Sequence, residues 1–350
     1  MSISASGSAA SPKELLEDLL RGGDIGAASA RRLGDLMMDG SLSAAQIGAV
    51  LALWRAKGET PSELVGLVGS MLDHAVWVRL SVDAVDTCGT GGDRQGTFNI
   101  STVAALVVAG AGLPVAKHGN RAASSRCGSA DVLEALGVVI DLDAEGVAIC
   151  VHEAGMGFMF ANAFHPAMRH VAAPRSELGI RTVFNVLGPL ANPAHVPFQA
   201  LGVSDPALAE RMAQVLAGLG RRRALVFSGP EGLDELGLSG PSRCWEVSAG
   251  RVVETEIDPR SLGLAAAPSA ALRGGDAAAN AATVRRILGG EPGPMADVVL
   301  LNSAAALVAG ERAADLSEGL EMARESLRAG SAAAVLERLV ATSTGLRRPS

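Results

Sequence analysis

Only four cysteines occur in 350 residues (Cys88, Cys127, Cys150 and Cys244). None forms a C-x-x-C pair, which argues against a structural zinc site or a disulfide framework and fits reduced thiols in a cytosol. Tyrosine is absent, and aromatic residues make up 3% of the chain. Basic residues are outnumbered, 30 Lys+Arg against 37 Asp+Glu, giving a net charge of −7. That balance argues against a general affinity for nucleic acid, which binds through a basic surface. No uncharged apolar run of membrane character reaches the ~18 residues of a spanning helix, although 298–309 is apolar enough for a buried one. The opening MSISASGSAAS has no basic segment followed by an apolar one, so no secretory signal is expected and the protein is expected in the cytoplasm. No Ser–His–Asp order, metal-protease helix or paired carboxylate suggests hydrolysis.

The chain is 48% hydrophobic and can bury a substantial core. Its length suggests two domains at about 150 residues each, or one large one with an appendage. Residues 1–10 are small and polar and read as a disordered tail. Ser11-Pro12-Lys13-Glu14, Ser43-Ala44-Ala45-Gln46 and Thr60-Pro61-Ser62-Glu63 each match the capping box that opens a helix. A further helix is expected over 27–38, so the first 75 residues read as a small all-helical unit. From Val82 short β-like runs alternate with helices. Strands are expected at 82–86, 115–117, 138–140, 158–160, 198–203 and 223–227, with helices at 102–112, 130–136, 144–154, 166–178 and 206–218. This alternation predicts an α/β fold, a mostly parallel central sheet flanked by helices. A hairpin is expected at 245–257, a surface loop at 262–271, and helices beyond Asp276, including an amphipathic one over 316–339.

The stretch Asp86 to Thr102, D-T-C-G-T-G-G-D-R-Q-G-T-F-N-I-S-T, lies between a predicted strand and a predicted helix. Glycines let bare N–H groups approach a ligand, and the helix start that follows favours an anion. The spacing is neither G-x-x-x-x-G-K-[ST] nor G-x-G-x-x-G. Asp86 and Asp93 flank the glycines and could hold a divalent cation or a ribose hydroxyl; the plain alternative is an ordinary glycine-rich turn. In open α/β sheets ligands bind beyond the carboxyl ends of the strands. There the second strand leads into Lys117, His118, Asn120, Arg121, Ser124, Ser125, Arg126 and Ser129, a set that suits a phosphate or diphosphate cradle. His165 stands at another strand end, Arg175 and Arg181 suit a carboxylate clamp, and the adjacent acids Asp234-Glu235 suit a hard cation once a diphosphate completes its coordination.

Together these segments resemble the anthranilate phosphoribosyltransferase family of tryptophan biosynthesis. The likeness rests on D-T-C-G-T-G-G-D with T-F-N-I-S-T, on K-H-G-N-R-A-A-S-S-R-C-G-S-A-D-V-L-E-A-L-G, and on H-P-A-M-R-H-V-A-A-P-R-S-E-L-G-I-R-T-V-F-N-V-L-G-P-L-A-N-P. It continues through G-L-D-E, G-G-D-A-A-A-N-A and V-L-L-N-S-A-A-A-L, and spans about residues 11–340. The resemblance implies transfer of a 5-phosphoribosyl group from phosphoribosyl pyrophosphate to the amine of anthranilate, with release of diphosphate. It implies a helical domain of 1–78 plus about 166–195, an α/β domain of 79–165 plus about 196–350, and a homodimer formed through the helical domain. Carried over residue by residue, Gly89, Thr90, Gly91, Gly92, Asp93, Thr97, Asn99, Ser101, Thr102, Lys117 and Ser129 would hold phosphoribosyl pyrophosphate. Gly89, His118, Asn120, His165, Arg175, Gly188 and Pro189 would form the anthranilate site. Two Mg²⁺ ions are implied, one on Ser101 and one on Asp234 and Glu235. Lys117, His118 and Arg175 are the candidates for a catalytic role.

A neutral aryl amine can attack without prior deprotonation, so the reaction calls for charge stabilisation of the leaving diphosphate rather than an acid–base pair. The product's proton would leave through His118, His165 or the substrate's own carboxylate. The chain departs from the family at Asn162, where proline is usual before the H-P-A-M segment, and at Ser303, where alanine is usual. Two rivals are a pyrimidine nucleoside phosphorylase, which would not need Asp234-Glu235, and a nucleic-acid-binding relative of the fold, which would need a basic surface.

Overall fold

All three capping boxes close as the sequence predicts. Ser11 with Glu14, Ser43 with Gln46 and Thr60 with Glu63 exchange side-chain-to-backbone hydrogen bonds at the starts of the helices Pro12–Leu20, Ala44–Lys57 and Pro61–Asp73. The helix Gly26–Met38 completes this bundle by packing on Pro61–Asp73. The computed structural model describes residues 10–122 and 126–347. Nearly all of the expected tail, and Ser124 and Ser125 of the hydroxyl-rich turn, lie outside the described residues.

Seven strands follow: β1 (Val85–Gly89), β2 (Val115–Gly119), β3 (Met156–Phe160), β4 (Phe198–Gly202), β5 (Arg223–Ser228), β6 (Ser242–Ser248) and β7 (Arg251–Ile257). They form one sheet in the order β3-β2-β1-β4-β5-β6-β7. The first five named in chain order are parallel, and the β6–β7 hairpin joins antiparallel at one edge. Alternate residues serve opposite faces. Phe198, Ala200, Leu225 and Phe227 enter one core with the helices Ile100–Gly110 and Pro294–Ala309. Leu201, Val203, Ala224 and Val226 enter another with the N-terminal bundle and the helix Pro206–Gly218.

Several expectations need correction. Residues 138–140 form no strand: Val138 and Ile140 are buried, but the Val139 N–H is taken by the Ser343 hydroxyl at 3.1 Å rather than by a neighbouring strand. Apolarity there reports burial only. The expected helix over 316–339 is two helices, Leu316–Arg328 and Ser331–Gly345, broken where Gly330 takes a left-handed φ of 73°. The first strand begins at Val85 rather than Val82, which is exposed. The expected surface loop at 262–271 buries Leu264 and Ala267 and is framed by two 3-10 turns. The helix expected from 166 opens as a 3-10 turn, Pro166–Met168, and becomes regular over Arg169–Leu178.

Candidate active site

Strand order reverses between β1, which leads to β2 on one side, and β4, which starts the other side. This switch point opens a crevice beyond the strand ends, where an α/β sheet takes its ligand. The glycine loop leaves β1 here and is tied to β4, the Thr90 N–H donating to the Gly202 carbonyl at 2.9 Å. The loop's far end is pinned by segment 272–274: Phe98 N–H donates to Leu272 at 3.0 Å and Gly274 N–H to Gly96 at 2.9 Å.

Asp234 and Glu235 follow β5 and turn back into this crevice. A side chain at Gly89 would collide with the Asp234 carboxylate, and one at Gly202 with the Asp234 backbone. Glycine at the ends of both strands is therefore what admits the acidic turn. Asp234 Oδ2 accepts the Gly91 N–H at 2.6 Å, and Glu235 Oε1 accepts the Ser101 N–H at 3.1 Å. Both acids are buried, 8% and 7% exposed. Burial, then the neighbouring Asp93, push the Asp234 carboxyl up to about 7; burial, then Asp234, push Glu235 up to about 8. Asp93 Oδ1 accepts the Gln95 N–H at 3.1 Å, while its Oδ2 is buried with no partner among the described residues.

Lys117, 2% exposed on β2, faces this acidic cluster from beneath. Its ammonium donates to the Thr87 carbonyl and to Ser101 Oγ, the latter at 3.3 Å. It lowers the carboxyl pKa values of Asp86 and Glu235, opposing their burial. Ser101 and Thr102 occupy the first turn of Ile100–Gly110, whose dipole suits phosphate, although its leading N–H groups are engaged, Ile100 with Phe98 O, Ser101 with Glu235 and Thr102 with Asn99 O. Thr90 and Thr102 each keep a buried hydroxyl without a partner among the described residues. Asn99 is largely committed: its amide donates to Cys127 O at 3.1 Å and accepts from Asn280 at 2.9 Å. Asp86 has a structural place, fully buried and accepting from His118 N–H at 3.3 Å and from Asn192 at 2.8 Å. Cys88, beside the loop, is buried, and its thiol is pushed well up by that burial.

Of the cations expected in the turn after β2, Arg121 points elsewhere. It pairs with Asp131 at 3.0 Å and Glu134 at 2.8 Å on the following helix, and stacks over Phe160. Ser129 Oγ donates instead to Asn120 O at 3.3 Å. The Arg181 guanidinium extends to the glycine loop, 3.5 Å from where a Cβ on Gly92 would sit.

The second group of residues gathers beside β2. His118 and His165 lie with ring centroids 5.1 Å apart, both buried. His118 bonds to the Gly188 backbone and is pushed down to about 3, by burial first and then by His165; its Nε2 is buried without a partner among the described residues. His165 is pulled down by burial and bonded to the backbone of Ala191 and Met71, which ties the helix Pro61–Asp73 to the segment after Gly188-Pro189. Pro189 is fixed by the Gln199 amide, which donates to its carbonyl at 2.6 Å. Asn120 reaches Asn162 at 3.4 Å, so the residue standing in place of proline touches a candidate substrate contact. Arg175 is half-buried over the Phe184 ring at 5.3 Å, with no ion pair among the described residues, and burial pulls its pKa below the ordinary arginine value. A half-buried guanidinium without an ion pair suits an incoming carboxylate.

Among the described residues no three histidine, cysteine or carboxylate groups converge closely enough to hold a metal unaided. The donors present still fit Mg²⁺, which takes one or two carboxylates and completes its shell with water and substrate phosphate. Buried acids with raised pKa values and an orphaned Asp93 oxygen are groups that an added cation would satisfy. No helix of the described residues is long and apolar enough to cross a membrane.

The comparisons agree across the chain. Residues 13–75 match the helical bundle domain of a glycosyl transferase family, and 81–333 match that family's a/b domain. An anthranilate phosphoribosyltransferase from Roseiflexus sp. (strain RS-1) is 54% identical over 335 residues, 95% of this chain and 98% of that protein. One from Chloroflexus aggregans is 55% identical over 324 residues, covering 92% and 95%. The crystal structure of the anthranilate phosphoribosyltransferase from Thermus thermophilus superposes with a TM-score of 0.90 at 44% identity, over 94% of this chain and 99% of that one. The enzyme from Saccharomyces cerevisiae, in complex with PRPP and Mg, gives 0.87 at 27% identity, covering 97% and 99%.

Proposed function

The chain belongs to the anthranilate phosphoribosyltransferase family, and we propose that its chemistry takes place in the crevice where β1, β4 and β5 end. It is a Mg²⁺-using glycosyltransferase of tryptophan biosynthesis, transferring 5-phosphoribosyl from phosphoribosyl pyrophosphate to the amine of anthranilate and releasing diphosphate. The observation that carries the assignment of the site is the buried Asp234-Glu235 turn, seated against glycines at two strand ends and faced by Lys117. Loss of anthranilate fluorescence that requires both phosphoribosyl pyrophosphate and Mg²⁺ tests the activity. Turnover independent of either would overturn it.

In this reading the diphosphate lies across the Gly89–Gly92 backbone and the start of Ile100–Gly110, with Thr90, Thr97, Ser101 and Thr102 as hydroxyl partners, Asn99 and Ser129 at the margin, and Asp93 beside the ribose. Two Mg²⁺ ions are held, one by Ser101 and one by Asp234 and Glu235. When bound, Mg²⁺ neutralises the diphosphate charge as that group departs. Lys117 holds the two ends of the loop together, bonding Thr87 O and Ser101 Oγ, and opposes the burial that raises Glu235. Arg181, reaching the loop from the helical side, adds a positive charge at its outer rim. Arg181→Ala is expected to raise the KM for phosphoribosyl pyrophosphate about 2- to 5-fold, the effect of one exposed charge, and added salt should shrink the difference. A KM unchanged at low salt would remove Arg181 from the site.

Anthranilate then sits between Arg175 and the His118, His165, Asn120 and Gly188-Pro189 group. His118, neutral throughout the physiological range, presents Nε2 as a lone-pair acceptor that orients the aryl amine. With so low a pKa it is a poor proton store, which leaves the substrate's carboxylate as the better acceptor. Arg175→Ala is expected to raise the KM for anthranilate about 10- to 100-fold, the range of one charge-assisted hydrogen bond, with kcat little changed. Equal KM values in variant and wild type would sink the clamp.

We also divide the chain into a helical domain, 1–78 plus about 166–195, and an α/β domain comprising the rest. In support, Arg169–Leu178 packs on Ala44–Lys57, and Val171, Val183, Phe184 and Leu187 share a core with Leu33, Met37 and Trp54. We read the protein as a cytoplasmic homodimer joined through that helical domain.

A further inference from the structure

We propose that Asn302 is a positioning residue for the metal-binding turn. This inference rests on Asp234 and Glu235 holding Mg²⁺. The helix Pro294–Ala309 is buried on every side, and among its apolar residues Asn302 is only 3% exposed. A buried primary amide is costly unless its hydrogen bonds are made. Here they are made largely outside its own helix. Leu236 N–H donates to Asn302 Oδ1 at 3.0 Å, and Asn302 Nδ2 donates to Leu236 O at 3.0 Å and to Val298 O at 2.8 Å. One side chain thus grips both polar groups of the backbone unit immediately after Glu235, as a neighbouring strand would. The amide's orientation is fixed, because a flipped one would set donor against donor and acceptor against acceptor.

The turn is also closed on itself, Gly229 N–H donating to Leu233 O at 2.9 Å, and anchored by the buried Leu233 and Leu236, but Asn302 is the side chain that takes both backbone groups of Leu236. In front, its bonds run from Asp234 to Gly91 and from Glu235 to Ser101, both on elements that the substrate itself must engage. Asn302 holds the backbone so that both acids stay on the crevice side. A second buried asparagine makes a natural comparison. Asn280, 2% exposed, accepts from Gly275 N–H at 2.7 Å and donates to Asn99 Oδ1 at 2.9 Å, bracing the glycine loop rather than the acidic turn.

The test is Asn302→Ser. Ser303 next to it shows that this helix accommodates a hydroxyl bonded to the carbonyl four residues back, at 2.7 Å, so serine can satisfy itself there but cannot reach Leu236. The full-length variant is expected to need about 10-fold more Mg²⁺ for half-maximal activity, with most of kcat restored at saturating Mg²⁺ and the anthranilate KM unmoved. Calorimetric titration of Mg²⁺ in the presence of diphosphate should show the same loss without relying on turnover. Asn280→Ser should weaken diphosphate binding instead and leave the Mg²⁺ requirement alone. If serine yields too little folded protein, Asn302→Gln, which keeps the amide but displaces it by one methylene, should also raise the Mg²⁺ requirement. The proposal is overturned if the Asn302 variants lose stability with unchanged Mg²⁺ affinity, or if Asn280→Ser shifts Mg²⁺ affinity equally.

Discussion

Replacing Asp234 by Asn and Glu235 by Gln together is expected to lower turnover by at least about 10³-fold and, at the same time, to make the metal-free protein more heat-stable. Both effects have one cause. The two carboxyls are buried side by side, with Asp93 adjacent to Asp234 and Lys117 the counter-charge of Glu235, and their pKa values stand well above the ordinary carboxylate range. An acid whose pKa rises on folding favours the folded state while it keeps its proton. It withdraws that support as pH climbs past its unfolded value and through the raised one. The pair therefore costs the apo protein stability across about pH 5 to 8. Amides of the same shape carry no such cost, so the melting temperature of the double variant should exceed that of EDTA-treated wild type by an amount that grows from pH 5 to pH 8. Mg²⁺ with diphosphate should raise the wild type's melting temperature by more than the variant's. Binding should also release protons from the wild-type site, seen as a dependence of the calorimetric heat on buffer ionisation enthalpy. A stability difference that does not vary with pH would show that the acids are not strained by their burial. Normal turnover of the variant at limiting Mg²⁺ would remove them from the metal site.

The sequence carries the local features well because their causes are local. A capping box is decided within four residues, and all three of those at Ser11, Ser43 and Thr60 form. The helices 144–154 and 206–218 start at Asp143 and Asp205, side chains that cap their own backbone. Where position depends on distant partners, the reading weakens. Val138 and Ile140 are apolar enough for a strand, yet their neighbours are helices and side chains rather than a strand edge. Arg121 reads as a phosphate ligand by its company of Gly and Ser, but the acids that claim it, Asp131 and Glu134, are set on the same side by the next helix. The site divides in the same way. The glycine loop, Lys117 and Asp234-Glu235 are legible as separate anion- and cation-binding pieces. Their convergence depends on a strand order that places residues 89, 202 and 234 together. Asn302 and Asn280 lie inside segments that stand out in the sequence only by their likeness to a family. The physical signal is an amide in an otherwise apolar helix, which a buried position must satisfy somewhere.

Removing Lys117 should do the opposite of removing the acids: activity and stability should fall together. Lys117→Met keeps the aliphatic stem in a position only 2% exposed and deletes the ammonium alone. The Thr87 carbonyl and the Ser101 hydroxyl then lose a donor inside the protein, an omission that costs about 1–3 kcal/mol. The electrostatic consequence is larger for function. Lys117 is the cation that pulls the Asp86 and Glu235 carboxyls down against their burial. Without it Glu235 keeps its proton to higher pH, and a protonated acid does not bind Mg²⁺. The variant should therefore show kcat about 10²- to 10³-fold lower at neutral pH, the scale of one lost electrostatic contact to a leaving group. It should also show a Mg²⁺ requirement that eases as pH rises, which a purely structural defect would not produce. Lys117→Arg should not rescue activity, because a planar guanidinium is larger than the cavity that an ammonium fills and cannot place a point charge between Thr87 and Ser101. Measuring kcat against Mg²⁺ at two pH values for the Lys117→Met variant and wild type separates the outcomes. A pH-independent Mg²⁺ requirement would reduce Lys117 to a packing role. A kcat near that of wild type would mean that the backbone of the glycine loop carries the diphosphate without it.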